Sequence, residues 1–162
     1  EIRTTRAISP QILRHSSFGF QEFSQRYANS SAIGTAKVPH LRAQDYKNRQ
    51  NSTDDLQQKL GKPKLADYYR RIAIMYEDAE HLYQELLSDG VAKESARFVL
   101  PLSAPTKLFM CGTLRSWLHY IDLRTANGTQ QEHKEIAEQC KAIFQEQFPI
   151  ISEAMWHVQQ SS

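Results

Sequence analysis

The stretch Leu65-Ala-Asp-Tyr-Tyr-Arg-Arg-Ile-Ala-Ile-Met-Tyr-Glu-Asp-Ala-Glu-His-Leu-Tyr-Gln-Glu-Leu86 reads as one helix. Leu65, Tyr69, Ile72, Tyr76, Ala79, Tyr83 and Leu86 recur in alternating steps of four and three, which lines them up as a buried stripe on one helix face. Asp89-Gly90 closes the run. Upstream, Ser52-Thr53-Asp54-Asp55 caps a helical region that Gly61 and Pro63 interrupt early. Downstream, a short helix covers about Ala92 to Val99, stopped by Pro101, and Leu108 to Cys111 reads as a brief strand. Helices follow from about Thr113 to Arg124, from Thr129 to Gln147, and after Pro149.

At the other end, Glu1 to Ala7 reads as a short strand. Ser9-Pro10 reads as an N-cap followed by proline at the first helical position, opening a helix through about Ser16. From Ser17 to roughly Ser52 no period is sustained, with Gly19, Asn29-Ser30-Ser31, Gly34 and Pro39 as punctuation. Irregular stretches of that length are functional or disordered. Phe18, Phe20, Phe23, Tyr27 and Tyr46 favour the functional alternative.

The chain has 162 residues, the size of a single domain, with 40% hydrophobic and 23% charged residues. No repeat or linker divides it. A net charge of +2 does not by itself indicate a nucleic-acid binder. No run approaches the ~18 apolar residues of a membrane span. Cys111 and Cys140 lack C-x-x-C spacing and read as reduced thiols of an intracellular protein. The histidines (His15, His40, His81, His119, His133, His157) form no H-x3-H or H-E-x-x-H pair, so no metal site is expected. There is no G-x-G-x-x-G, Walker A loop or G-x-S-x-G. A flavin or nucleotide would be held without a Rossmann or P-loop cradle.

Three clusters could carry chemistry. In the first, Gln11, Arg14 and His15 end the short helix, and Glu22, Ser24 and Arg26 lie just beyond. Arg26 and Ser24 offer the fork and hydroxyl that grip a phosphate, while Glu22 can accept from a ribose hydroxyl or an amide. The plainer alternative is a solvated helix end. In the second, Glu94 and Arg97 are one turn apart, either a surface ion pair or a cleft-facing arginine beside apolar Phe98-Val-Leu-Pro-Leu. In the third, Arg115 and His119 share one helix face and Arg124 ends the helix, where a cation also compensates the dipole. Residue pattern alone gives a mostly helical domain with three arginine-bearing clusters.

Those clusters resemble a family. Arg14-His15-Ser16, seven residues, then Ser24 resembles the R-H-R-x7-S signature of flavin-dependent thymidylate synthases. The likeness continues through Gln21-Glu-Phe-Ser-Gln-Arg-Tyr27, Glu94-Ser-Ala-Arg97-Phe-Val-Leu-Pro, Thr113-Leu-Arg-Ser-Trp-Leu-His-Tyr-Ile-Asp-Leu-Arg124, Thr129-Gln-Gln-Glu-His133 and Phe148-Pro149. It implies a mixed α/β fold, mostly helical with a small central sheet. It also implies a homotetramer with active sites shared between subunits. The implied reaction is reductive methylation of dUMP to dTMP, with methylenetetrahydrofolate supplying carbon and NADPH reducing FAD. No cysteine nucleophile is needed.

By the same resemblance, Gln11, Arg14, Glu22, Phe23, Ser24, Gln25, Arg26 and Arg97 surround dUMP. Arg124 is the catalytic residue, set against the uracil edge. Arg14, His15, Ser16, Glu22, Thr113, Leu114, Arg115 and His119 face FAD. Two departures stand out. Ser16 replaces the second signature arginine, which implies weaker FAD retention. The chain also opens abruptly at Glu1, so we expect an N-terminal segment with further flavin and folate contacts to precede it. The expected location is the cytoplasm, or the host-cell cytoplasm for a viral protein, with no membrane or nucleic-acid partner. The alternative reading is a homologue that binds FAD or a pyrimidine nucleotide with an altered or lost reaction. A helical interaction module would require the ordered motifs to coincide by accident.

Overall fold

Apolar spacing and glycine punctuation account for most of the elements in the computed structural model, which describes residues 1–156, the side chain of Ser31 excepted. His157 and any continuation of the last helix lie outside the described residues. Contacts gather into two units, Glu1–Cys111 and the chain from Gly112 onward. In chain order the first unit holds β1 (Ile2–Thr5), α1 (Ser9–Leu13), β2 (Gly19–Glu22), a 3-10 turn (Ser30–Ile33), β3 (Ala43–Gln44) and β4 (Ser52–Thr53). It continues with α2 (Leu56–Leu60), α3 (Lys62–Ser88), α4 (Lys93–Ala96), a second 3-10 turn (Arg97–Val99) and β5 (Pro105–Cys111). The second unit holds α5 (Leu114–Thr125), α6 (Gln131–Gln147) and α7 (Pro149–Trp156).

The main sheet is antiparallel with order β1-β5-β2. Leu108 of β5 stands opposite both Ile2 and Glu22, and Pro105 opposite Thr5. Thr106 and Leu108 alternate inward along β5, where they join Ile2, Ile8, Ile12 and Tyr83 among the buried residues. Pro105 is tolerated because it begins the strand. Strand content therefore exceeds the sequence expectation: β2 and β3 lie in the stretch expected to be irregular, β3 pairs with β4 in a separate two-stranded antiparallel sheet where Ser52-Thr53 was expected to cap a helix, and β5 starts three residues before Leu108.

The 27 residues of α3 make a helix about 40 Å long. The stripe from Leu65 to Leu86 is its less exposed side, but only Tyr83 is fully buried. Gly61 separates α2 from α3 at φ +79°, a conformation that favours glycine. At the far end the Gly90 amide donates to the Leu87 carbonyl and the Val91 amide to Leu86, closing the helix.

Three helix boundaries differ from the sequence reading. Ser9 is the first residue of α1, not its cap, and Ile8 precedes it without a side-chain cap bond. Arg14 is the C-cap, so the helix stops short of Ser16. The helix expected from Thr129 begins at Gln131, with Gln130 at its N-cap. In the expected Ala92–Val99 helix, α-geometry covers Lys93–Ala96 and tightens to 3-10 over Arg97–Val99, ahead of Pro101.

Candidate functional site

The Ser9 hydroxyl, freed from capping, donates to Glu22 Oε1 at 2.6 Å. Thr106 Oγ1 donates to the same oxygen at 2.9 Å, and the Arg6 guanidinium lies 3.5 Å from it. One carboxylate thus ties α1, β2 and β5 together beneath the first cluster. Ser9 and Thr106 are fully buried, so Glu22 satisfies hydroxyls that have no water to turn to. Sequence reasoning found Glu22 but not Ser9, Arg6 or Thr106. Their link spans 13 to 84 residues and leaves no local signal.

Past Glu22 the chain leaves the sheet after one more bond, from the Phe23 amide to the Lys107 carbonyl. It then coils into a turn in which Ser24 Oγ accepts from the Arg26 amide and the Ser24 carbonyl accepts from the Tyr27 and Ala28 amides. Gln25 points inward. It is 4% exposed, and its Nε2 has no hydrogen-bond partner among the described residues. A buried amide nitrogen left unmatched is costly, and a ligand acceptor would satisfy it. Arg26 points outward, stacked on the Tyr27 ring.

Arg26 also joins the first and second clusters. Its guanidinium lies 3.3 Å from Glu94 Oε2. Arg97 Nε donates instead to the Glu94 backbone carbonyl, with its guanidinium over the Phe98 ring. The surface ion pair weighed for Glu94 and Arg97 is replaced by one between Glu94 and Arg26. Lys93 Nζ donates to the Tyr27 carbonyl and pins the turn that carries Arg26. Gln11 and His15 are half-buried on α1 and just beyond it, whereas Arg14 and Ser16 are exposed.

In the second unit, Thr113 caps α5: its Oγ1 accepts from the Ser116 amide at 3.2 Å. Leu114, Arg115 and His119 are exposed on α5, with Arg115 and His119 one turn apart. Arg124 is half-buried in the last turn. Behind it, Tyr120 and His133 are fully buried, with Tyr120 Oη and His133 Nε2 3.2 Å apart. Sequence reading noted His133 only as a motif member and missed Tyr120. Burial holds the Tyr120 phenol well above its ordinary range, the Cys140 thiol adds to that, and Arg124 opposes it.

Two cavities, of about 560 and 250 Å³, open in the first unit. Neither is lined by an expected site residue. Among the described residues no group of three or more histidine, cysteine, aspartate or glutamate side chains could hold a metal. No described helix is long and apolar enough to cross a membrane.

Residues 1–150 match the family model described as thymidylate synthase complementing protein. A probable flavin-dependent thymidylate synthase from Paramecium bursaria Chlorella virus 1 is 48% identical over 155 residues, covering 96% of this chain and 69% of the relative. A flavin-dependent thymidylate synthase from Synechocystis is 46% identical with the same coverage. Among solved structures, a UMP/dUMP methylase, PolB from Streptomyces cacaoi, superposes with TM-scores of 0.75 bound to 5-Br dUMP and 0.77 bound to 5-Br UMP. The identities are 28% and 29%, covering 94% of this chain and 68–69% of the methylase.

Proposed function

Because the chain belongs to the thymidylate synthase complementing protein family, we propose how its clusters carry out the flavin-dependent methylation of dUMP to dTMP. The protein is an enzyme of that class, and the match over residues 1–150 is the observation that carries the assignment. In our reading the two units work as one catalytic domain. FAD is the flavin, NADPH the reductant and methylenetetrahydrofolate the carbon donor. A cytoplasmic homotetramer shares each active site between subunits.

The residues of the first two clusters suit an anionic nucleotide. An exposed Arg14, a half-buried Arg97, an outward Arg26 and the unmatched amide of Gln25 form a donor set suited to an anionic nucleotide. Arg26 and the turn amides from Ser24 onward would take the dUMP phosphate, with Arg97 as a second cation. Gln11, Glu22, Phe23 and Gln25 would orient the nucleoside. Arg14, His15, Ser16, Glu22, Thr113, Leu114, Arg115 and His119 would hold FAD. When bound, the flavin supplies hydride chemistry.

The chain's own task is electrostatic. As uracil C5 becomes nucleophilic toward the methylene carbon, negative charge grows on the pyrimidine oxygens. A guanidinium fixed there stabilises that charge more in the transition state than in the bound ground state. Arg124 has that role. Its half-buried position at a helix end strengthens the interaction relative to bulk water.

Incubating the purified full-length protein with dUMP tritiated at C5, methylenetetrahydrofolate, NADPH and FAD should release tritium to water in step with dTMP. Retention of tritium with continued NADPH oxidation would instead favour the altered-reaction reading. UMP in place of dUMP tests a second specificity, motivated by the solved neighbour bound to 5-Br UMP.

A further inference from the structure

Arg124 is half-buried in the last turn of α5, where its direction decides what it can stabilise. One turn earlier on the same face of α5 stands Tyr120, four residues away and fully buried. Trp117 packs edge-on against the Tyr120 ring, with centroids 5.8 Å apart at 89°. On the other side His133 of α6 meets the phenol at 3.2 Å, its own ring tilted 42° and also fully buried. Tyr120 and His133 therefore form a polar pair sealed between α5 and α6.

Apolar side chains of similar shape would fill that space without the need to match two polar groups. A buried hydroxyl or imidazole is costly when unpaired, so keeping both calls for a reason beyond packing. Arg124, one helical turn on from Tyr120 and close enough to act electrostatically on its phenol, supplies one. A guanidinium has only donors, so the phenol oxygen can offer it nothing but lone pairs. The single phenol proton is then left for His133 Nε2, which accepts it, leaving His133 as the Nδ1–H tautomer. Burial keeps the phenol protonated, so this arrangement holds across the neutral range.

We infer that His133 and Tyr120 are positioning residues for Arg124: His133 orients the phenol, and the phenol oxygen fixes the direction of the guanidinium. The inference rests on the role given to Arg124 above. Neither residue touches substrate in this scheme. Their effect therefore falls on the turnover step, where Arg124 acts, and not on nucleotide binding.

The test uses Tyr120→Phe, His133→Leu, His133→Gln and the Tyr120→Phe/His133→Leu pair. Tm, kcat and the KM for dUMP are measured on each. His133→Leu removes the acceptor of the phenol proton and should lower both Tm and kcat, kcat by about tenfold with KM for dUMP within about twofold. Tyr120→Phe should lower kcat similarly. His133→Gln, whose side-chain carbonyl can accept the same proton, should recover most of kcat. The double variant removes both members of the Tyr120–His133 hydrogen bond together, so Tm should recover much of what His133→Leu loses while kcat stays low. Recovery of kcat together with Tm in the double variant would make the pair mere packing and overturn the inference. Unchanged kcat in Tyr120→Phe would do the same.

Arg124→Ala separates the two levels of argument. With turnover lost in that variant, adding Tyr120→Phe should cost nothing further, because the guanidinium it aims is gone. Full turnover in Arg124→Ala would overturn the role of Arg124 and this inference with it. Loss in Arg124→Ala beside full turnover in Tyr120→Phe would overturn the positioning role alone.

Discussion

Arg26 reaches Glu94 at 3.3 Å across 68 positions of sequence, drawing the turn after β2 onto α4. Both side chains are about half exposed, so the pair adds little to stability. Its value in our proposal lies in holding in one direction the guanidinium proposed to grip the dUMP phosphate. Glu94→Gln should change unfolding free energy by less than about 0.5 kcal/mol. It should raise the KM for dUMP about threefold or more, because an unaimed arginine must be ordered on binding. Steady-state kinetics beside urea unfolding would check both, and an unchanged KM would remove the positioning role of Glu94.

Glu22 behaves differently because its partners are buried. Glu22→Ala strands the Ser9 and Thr106 hydroxyls and leaves Arg6 without its carboxylate. A loss of about 2–4 kcal/mol is expected, read as a lower urea midpoint. A loss below about 1 kcal/mol would show that the hydroxyls find other partners.

Ser16 sits exposed beyond α1, with space for a longer side chain. Ser16→Arg restores a cation at the flavin position proposed for it. FAD should bind about tenfold tighter in a fluorescence-quenching titration. An unchanged Kd would show that this serine does not weaken flavin binding.

Tyr120 gives an alkaline signature. Its folded pKa is raised, chiefly by burial, so the native state keeps a proton that the unfolded phenol loses near 10. The stabilisation is complete below that value and is lost as pH rises from there through the folded value. Denaturation midpoints between about pH 9 and 11 should therefore fall more steeply in the parent than in Tyr120→Phe. Parallel curves would contradict the burial argument.

Much of this protein was legible from local pattern. The stripe on α3, the Gly61 break, the Asp89-Gly90 stop and the start of α7 at Pro149 are each written in neighbouring residues. The sheet was not. β2 is Gly-Phe-Gln-Glu, too short and polar to alternate visibly, and it is defined by pairing with β5 some ninety residues on. The site followed the same division. The motif residues stood out as clusters, whereas Ser9, Thr106, Tyr120 and His133 matter only through partners that the fold brings to them. Ser9 shows why: beside Pro10 it has every local mark of a helix cap, but Glu22 takes its hydroxyl.

The central claim is that this chain methylates dUMP with Arg124 stabilising the activated pyrimidine. The most direct measurement is dTMP formation, by mass spectrometry, from dUMP, methylenetetrahydrofolate, NADPH and FAD, run side by side on the parent and Arg124→Ala with bound flavin quantified in each. The account predicts dTMP from the parent, and at least a hundredfold less from a variant that retains its flavin, on the order expected for loss of one transition-state charge contact. Undiminished dTMP from Arg124→Ala, or none from a flavin-loaded parent that still oxidises NADPH, would contradict it.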